Sequence, residues 1–125
     1  LLITHDLGVV AQMASRVVVM YAGQIVEEGG ITDIFDRSFH PYTRGLLKSM
    51  PRLGDRRQRQ VQRLHEIPGT VPSLTETPTG CKFADRCPHV FDVCRNQQPP
   101  LFEVADGQRA RCWLQRYPDR SKQLG

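Results

Sequence analysis

Short apolar runs alternate with polar or glycine positions over the first 30 residues of the chain. Leu1 to Thr4 and Val17 to Met20 have the composition of short strands. Gln24 to Glu27 fits a strand that returns after a turn at Ala22-Gly23. Between the first two runs, Asp6 can cap a helix over Leu7 to Ser15, because its side-chain oxygen can accept from the first-turn amides. The pattern predicts the edge of an α/β domain that contains a β-hairpin.

The middle of the chain contains two short helix candidates followed by segments without regular periodicity. Thr32 to Arg37 is one candidate and Tyr42 to Ser49 is the other. Pro41 suits a helix start, where its missing amide costs nothing, and Pro51 ends the helix. Residues 52–66 are rich in Arg and Gln and fit either a helix or a linker, of which we favour the linker. The prolines, glycine and hydroxyl residues of 67–78 predict an extended loop.

Composition and charge narrow the class of protein. The 125 residues are 39% hydrophobic and 24% charged, as in a globular domain, and no apolar run approaches the roughly 20 residues of a membrane span. The net charge of +4 is well short of a nucleic-acid-binding composition. The basic stretch from Lys48 to Arg63 is interpreted as solvated, with an acidic partner or lipid headgroups as the alternative. The sequence opens on a strand-like run without a secretory signal, so we expect a piece of a longer cytosolic protein.

Four cysteines, Cys81, Cys87, Cys94 and Cys112, lie in a polar, weakly periodic segment. Such a segment is too small to fold firmly by burial alone, so a local staple is expected. Three chemistries use these residues: a [4Fe–4S] cluster on four thiolates, a structural Zn²⁺ with His89 as a substitute ligand, or two disulfides. The spacing lacks the paired Cys-x2-Cys knuckles of zinc ribbons, and a cytosolic setting disfavours lasting disulfides, which places the cluster first.

Basic and aromatic side chains flank these cysteines. The basic residues could offset the negative charge of a cluster, although a solvated basic surface is the simpler interpretation; they are Lys82, Arg86, Arg95 and Arg111. The aromatic residues are expected to pack around the site rather than to recognise a ligand; they are Phe83, Phe91, Phe102 and Trp113.

His5 follows the first predicted strand and precedes the first predicted helix, where open α/β sheets place ligand-binding groups. An imidazole beside a nucleotide γ-phosphate can donate a hydrogen bond to a phosphate oxygen and help to hold the attacking water. Spacing alone still favours a structural histidine.

The segment from Leu1 to Leu7, followed by Ser15 to Met20 and Gly23 to Glu27, resembles the switch-histidine region of ABC ATPases. His5 matches the switch histidine. The resemblance implies that His5 contacts the γ-phosphate of ATP, bound with Mg²⁺, at the interface with a second ATPase subunit. The Walker A loop, the Q-loop, the signature motif and the catalytic glutamate of that family have no counterpart in these 125 residues. We therefore expect the chain to be inactive in ATP hydrolysis by itself.

A second resemblance begins at His40 to Leu47, with the sequence HPYTRGLL, which is similar to a segment shared by oligopeptide and dipeptide importers. The likeness continues through Ile67 to Pro72 and Gly80 to Pro88. It implies a C-terminal cysteine motif that can hold a [4Fe–4S] cluster, and all four cysteine positions match. His40 is expected to be a capping or surface residue without a catalytic role. The apolar face of the helix is expected to consist of Tyr42, Leu46 and Leu47.

The expected fold class is α/β: the C-terminal edge of a P-loop ABC ATPase domain followed by a small, loop-rich cysteine cluster extension. Residues 1–50 are assigned to the nucleotide-binding domain, 51–78 to a linker and 79–125 to the extension. The resemblance implies ATP-driven peptide uptake at the cytoplasmic face of the membrane. Its partners would be a second ATPase subunit, transmembrane permease subunits and, indirectly, a peptide-binding protein, with no nucleic acid. The alternative is a freestanding metal-binding interaction module.

Overall fold

The computed structural model describes residues 1–4, 6–49, 67, 69–71 and 79–117 of the chain. These residues form four α-helices, four strands and two short 3-10 turns, at Ala84–Arg86 and Trp113–Gln115. The helices are α1 (Leu7–Met13), α2 (Ile31–Asp36), α3 (Pro41–Lys48) and α4 (Asp92–Asn96). The strands are β1 (Arg16–Tyr21), β2 (Gln24–Gly30), β3 (Phe102–Ala105) and β4 (Gln108–Ala110). The fold is a small mixed α/β arrangement with an antiparallel sheet.

The predicted hairpin is confirmed. Strands β1 and β2 pair antiparallel, and alternate residues of β1 face the interior. Ala22 and Gly23 both have positive φ, 49° and 77°, as a two-residue hairpin turn requires when it matches the twist of its strands. Val17, Val19 and Tyr21 are therefore buried, while Val18 and Met20 point outward.

The strand predicted at Leu1 to Thr4 is wrong. These residues have no regular structure, and all four are exposed. An apolar run becomes a strand only where another strand supplies hydrogen bonds, and the sheet of the described residues does not extend to this segment. The helix that follows agrees better with the prediction, because Asp6 accepts from the Gly8 amide at 2.9 Å and caps α1.

Helices α2 and α3 lie within one or two residues of their predicted bounds. Pro41 occupies the first position of α3, as predicted. Tyr42 and Leu46 pack against the apolar core, which confirms that part of the predicted helix face. The predicted helix end at Pro51 and the predicted linker over 52–66 lie outside the described residues. Of the predicted loop over 67–78, residues 67 and 69–71 are described and contain no helix or strand.

The cysteine-rich segment shares a sheet with the beginning of the chain. The strand order is β1-β2-β4-β3, so β4 pairs with β2 and joins residues from both sides of the predicted linker. The division of the chain into three segments remains a prediction. Strands β3 and β4 were not predicted, although Asp106-Gly107 between them is a common hairpin signal and Gly107 has a φ of 72°. The segment is less loop-rich than its low periodicity suggests.

The core lies between the hairpin, α2 and the cysteine-rich segment. Its buried members are Val17, Val19, Tyr21, Val26, Ile34 and Phe83. Phe83 comes from the cysteine-rich segment, 2% exposed, and its ring meets Tyr21 edge-on with centroids 5.2 Å apart. Apolar packing therefore fixes one end of this segment against β1. No helix among the described residues is long and apolar enough to cross a membrane.

Candidate thiol site

His5, the predicted γ-phosphate ligand, lies outside the described residues, and its role remains a prediction. Its neighbours on both sides are described. The Asp6 amide donates to the Thr4 hydroxyl at 3.0 Å, and Asp6 then caps α1. In the sequence, His5 therefore immediately precedes the capped start of α1.

The four cysteines are free thiols. Cys94 and Cys112 are buried, whereas Cys81 and Cys87 are partly buried. The Cys81 amide donates to the Cys94 carbonyl at 2.6 Å, which ties the loop before the first 3-10 turn to α4. Gly80 makes this approach feasible, because a Cβ there would collide with the Cys94 carbonyl oxygen. Backbone contact alone thus holds two of the four cysteines together.

Burial and electrostatic interactions with other cysteines disfavour the thiolate form of three cysteines. Burial raises the pKa of Cys112 to about 12 and that of Cys87 to about 11. It also raises the pKa of Cys81. Cys94 contributes to all three upward pKa shifts, and Cys112 responds to each of the other cysteines. A negative charge on one sulfur therefore opposes charge on another, and without a compensating cation these three thiols are protonated at neutral pH.

Backbone amides donate to three of the four sulfurs and partly offset burial by lowering the thiol pKa. The donors are Phe83 and Ala84 for Cys81, His89 for Cys87 and Leu114 for Cys112. Amide donors at sulfur stabilise thiolate over thiol, and hydrogen bonds of this kind tune the potentials of iron–sulfur clusters. These amides offset only part of the effect of burial, so the pKa values of the three thiols stay raised.

Neither predicted metal centre is present as an assembled set of ligands in the described residues. Among the described residues, no group of three or more His, Cys, Asp or Glu side chains is placed to hold a single metal ion. One Zn²⁺ would draw its thiolates to within about 3.8 Å of each other, given Zn–S bonds of about 2.3 Å in a tetrahedron. A [4Fe–4S] cluster keeps its thiolates farther apart, because each binds a different iron. The choice between a cluster and zinc therefore remains a prediction.

A small pocket of about 70 Å³ adjoins two of the thiols. Its lining residues are Gly80, Cys81, Ala84, Asp85, Cys94 and Arg95. This volume has room for a few water molecules and is far below the roughly 300 Å³ or more of ordinary small-molecule sites. It is not a nucleotide or peptide site.

The basic residues around the cysteines bind backbone carbonyls more than they form a solvated surface. Lys82 donates to the Ala22 carbonyl at 3.0 Å, and Arg86 to the Ile67 carbonyl at 2.9 Å. Arg111 donates from Nε to the Ile25 carbonyl at 2.8 Å. These three bonds are partly buried and fasten the segment to the hairpin and to residue 67. Arg95 alone of the four fits the solvated interpretation, with an exposed ion pair to Asp85.

The flanking aromatic residues pack against other aromatic rings, as predicted. Phe83 contacts Tyr21 and Tyr42, Phe91 contacts Tyr117, and Phe102 contacts Trp113. Ring centroids in these pairs lie 5.2–5.8 Å apart with steep interplanar angles, the usual arrangement of packed aromatic side chains.

His40 caps α3 from a buried position, so the capping interpretation is confirmed and the surface interpretation is wrong. Its ring Nδ1 accepts from the Tyr42 amide at 3.0 Å, and the side chain is 1% exposed. Burial lowers the pKa of His40 to about 3, while a hydrogen bond from the imidazole to the Arg111 backbone opposes that shift. The ring is therefore neutral at pH 7 and links the start of α3 to the residue before Cys112.

Glu27 was missed by the sequence analysis, which treated it as the end of a strand. Its carboxyl group is completely buried and accepts from the Phe39 amide at 2.7 Å and the His40 amide at 3.0 Å. Gln108, equally buried, donates from Nε2 to Glu27 at 3.3 Å and to the Arg37 carbonyl at 2.8 Å. Two adjacent glutamates after an apolar strand were the available signal, but nothing local identifies which one is buried.

Comparison with known proteins identifies the family of the chain. Residues 26–94, more than half of the chain, match the family described as the oligopeptide/dipeptide transporter, C-terminal region. The chain belongs to this family. The matched range includes Glu27, all of α3 and three of the four cysteines, so the resemblance drawn from HPYTRGLL is confirmed.

Three relatives extend the likeness beyond that range. The chain is 56% identical over 111 residues to a probable peptide ABC transporter ATP-binding protein of Sinorhizobium fredii, covering 89% of this chain and 32% of the relative. It is 46% identical to an oligopeptide transport ATP-binding protein of Bacillus subtilis, covering 91% and 34%, and 51% identical to one of Mycobacterium tuberculosis, covering 90% and 18%. The chain thus spans about a third or less of these relatives. None of the comparisons supports a freestanding metal-binding module.

Proposed function

We propose that this chain is part of the ATP-binding subunit of an ABC importer that couples ATP hydrolysis to the uptake of oligopeptides or dipeptides. The observation that carries the proposal is the family match over residues 26–94, which contains α3 and the Cys81–Cys94 loop. The relatives are named as peptide or oligopeptide transport ATP-binding proteins, and they are 46–56% identical to this chain over about nine-tenths of its length. The whole subunit would bind ATP with Mg²⁺, with His5 the proposed contribution of this chain to that site.

Within that subunit, His5 acts at the γ-phosphate in a nucleotide site shared with a second ATPase subunit. Support comes from its position before the capped helix α1 and from the resemblance of its segment to the switch-histidine region. A neutral or protonated imidazole donates a hydrogen bond to a phosphate oxygen and helps to orient the attacking water. Permease subunits receive the resulting motion at the cytoplasmic face of the membrane, and a peptide-binding protein delivers the cargo. Nucleic acid has no part in this function.

The cysteine-rich segment serves as a fastened extension of that subunit, and its four thiols hold a [4Fe–4S] cluster. The ligands are Cys81, Cys87, Cys94 and Cys112, supported by their mutual electrostatic influence and by amide donors at three of the sulfurs. Such a cluster supplies one-electron redox chemistry and a rigid cross-link between the loops that carry its ligands. The chain itself supplies burial, which excludes water, and hydrogen bonds, which stabilise the thiolates.

Peptide uptake by the complete transporter tests the main proposal. The full-length subunit is assembled with its permease subunits in vesicles, and ATP-dependent uptake of labelled oligopeptides is measured with ATP hydrolysis. We expect His5→Ala to lower both rates about a hundredfold, since a group that positions the water and γ-phosphate is lost. Gln12→Ala, an exposed change on α1, is the matched control and should leave both rates unchanged. Uptake that does not depend on ATP, or a fully active His5→Ala transporter, would refute the proposed roles.

Visible absorption tests the cluster separately. Anaerobically purified full-length protein should show a broad visible band that bleaches on chemical reduction, because iron–sulfur clusters absorb through thiolate-to-iron and sulfide-to-iron charge transfer. Cys112→Ser should weaken the band strongly. A wild-type protein that bound zinc at these cysteines would show no visible band. A colourless protein that still transports peptides would remove the cluster and leave the importer assignment intact.

A further inference from the structure

The four cysteines of the proposed cluster site come from two parts of the chain that are held in different ways. Cys81 and Cys94 are tied to each other by a backbone hydrogen bond of 2.6 Å. Cys87 lies between them in sequence and ends the 3-10 turn that begins at Ala84. Cys112 has no such bond to this loop among those described. Cys112 instead follows the end of β4, the strand that pairs with β2 of the hairpin.

The segment before Cys112 is held by β2. Residue Ala110 of β4 is the register partner of Glu27, and the Arg111 amide donates to the Val26 carbonyl at 2.7 Å. The Arg111 side chain adds a bond to the Ile25 carbonyl at 2.8 Å. The position of the Cys112 sulfur therefore depends on how β4 is seated on β2.

Glu27 lies at the centre of this contact between β4 and β2. Its two carboxyl oxygens receive the Phe39 amide, the His40 amide and the Gln108 side-chain amide, so one buried group joins β2, the start of α3 and β4. His40 makes a second connection, because its imidazole interacts with the Arg111 backbone next to Cys112. We call the buried polar group of Glu27, His40 and Gln108 the polar junction.

We propose that Glu27 is a positioning residue for the thiol site: through the polar junction it seats β4 on the hairpin and thereby holds Cys112 beside the three cysteines of the loop. The inference rests on the proposed ligand role of the four cysteines, but it concerns the placement of a thiol and can be tested without metal. It also assigns to the HPYTRGLL segment a task in the extension, because the amide and imidazole of His40 belong to the junction.

Glutamate is required at this position because every contact to it comes from a donor. Three N–H groups donate to the two carboxyl oxygens of Glu27, and each oxygen accepts at least one of these hydrogen bonds. An amide NH₂ in place of either oxygen would therefore face a donor. Glu27→Gln is nearly identical in size but places an NH₂ group opposite a backbone or side-chain N–H, whichever way the amide turns. One buried donor then loses its acceptor, and such a loss is costly.

The test is the alkylation rate of each cysteine in iron-free, full-length protein, mapped residue by residue with mass spectrometry. In Glu27→Gln we expect the rate at Cys112 to rise about tenfold, because a buried donor left unpaired favours local opening of β4. Cys81 and Cys94, which hold each other directly, should stay within about twofold of the native rate. A merely structural role for Glu27 would accelerate all four cysteines alike.

Glu103→Gln is the matched control, since it is the same chemical change on an exposed residue of β3, which pairs with β4 on the side away from β2. Its exposed carboxyl group lies outside the polar junction, so the variant should change no cysteine rate by more than about twofold. Gln108→Met is the second test variant. It deletes the Nε2 donor to Glu27 and to the Arg37 carbonyl, and also the Gln108 Oε1 atom, which has no hydrogen-bond partner in the described structure. We expect it to raise the alkylation rate of Cys112 about fivefold.

Selective acceleration at Cys112 in both variants supports the inference. An unchanged Cys112 rate, or equal acceleration at all four cysteines, would overturn it. If Glu27→Gln does not fold, Gln108→Met decides between these results alone. A wild-type protein that contains no iron as purified would count against the proposed cluster. It would not affect this assay of the placement of Cys112, because the assay uses iron-free protein.

Discussion

Phe83 and Gln108 both belong to the cysteine-rich segment and are both buried, but they meet the β1–β2 hairpin through different chemistry. Phe83 contributes an aromatic ring to a nonpolar core and contacts Tyr21 and Tyr42. Gln108 contributes an amide to the polar junction and contacts a buried carboxyl group. Apolar contacts tolerate small displacements, whereas the junction requires each donor to meet its acceptor. The comparison suggests that the core supplies most of the stability and the junction supplies the register of β4.

Phe83→Ala should have the largest effect on stability. It deletes a ring that is 2% exposed and contacts three other rings, so we expect a loss of about 4 kcal/mol in the free energy of unfolding. Urea unfolding followed by fluorescence measures this quantity. Val18→Ala, on the exposed face of β1, is the control and should cost about 0.5 kcal/mol or less. Similar losses in the two variants would contradict an apolar core at Phe83.

Gly80→Ala tests the close backbone contact inside the cysteine loop. A Cβ at this position would lie 2.5 Å from the Arg95 carbonyl carbon and would collide with the Cys94 carbonyl oxygen. Because both neighbours are backbone atoms, the loop must open, and we expect a loss of about 3 kcal/mol. Gly107→Ala provides the comparison, since its Cβ would meet open space and only the positive φ of 72° carries a cost, about 1 kcal/mol. Equal losses would show that the Cys81–Cys94 contact is looser than described.

The polar junction should make the fold sensitive to acid through His40. The pKa of the buried imidazole is lowered from 6.5 to about 3, so below pH 6.5 the unfolded chain takes up a proton that the folded chain refuses. Folding stability attributable to this residue is therefore intact above pH 6.5 and falls by about 1.4 kcal/mol for each pH unit below it, until about pH 3. Urea unfolding at pH 7, 6 and 5 measures the slope. His40→Asn keeps a capping side chain and should flatten it; an unchanged slope in that variant would assign the acid sensitivity elsewhere.

Arg111→Met should produce the smallest of these changes in stability. The variant keeps most of the side-chain length but loses the bonds to the Ile25 and Pro99 carbonyls, at 2.8 and 3.2 Å. We expect a loss of about 1 to 2 kcal/mol, because both carbonyls lose a charged donor. Arg95→Met removes an exposed ion pair with Asp85 and serves as the control, with a change of about 0.5 kcal/mol or less. Equal effects would mean that Arg111 does not fasten β4.

The difference between the two regions also explains what the sequence could predict. The hairpin was recognisable because the apolar, β-branched run from Val17 to Met20 is followed by the Ala22-Gly23 turn and a second short run. Local chemistry likewise identified the Asp6 cap and Pro41 at a helix start. The cysteine positions were recognisable from their type and from the family resemblance, and the packing of the nearby aromatic residues followed from their number in a small segment.

The polar junction could not be predicted in the same way. Glu27 receives donors from residues 12, 13 and 81 positions away, so its burial follows from the tertiary fold rather than from β2 itself. The pairing of β4 with β2 is equally remote in sequence, and only the Asp106-Gly107 turn gave a local signal for β4. The Leu1–Thr4 strand failed for the opposite reason: its local composition is suitable, but a strand also needs a partner.

Anaerobic quantification of iron, sulfide and zinc in the full-length protein tests most directly whether the four cysteines form one site. The account predicts about four irons and four sulfides per chain, with strong loss of both in each of the Cys81→Ser, Cys87→Ser, Cys94→Ser and Cys112→Ser variants. Wild-type protein without stoichiometric iron and sulfide would contradict the cluster. A cluster retained in the Cys112→Ser variant would contradict the claim that β4 delivers one of its ligands.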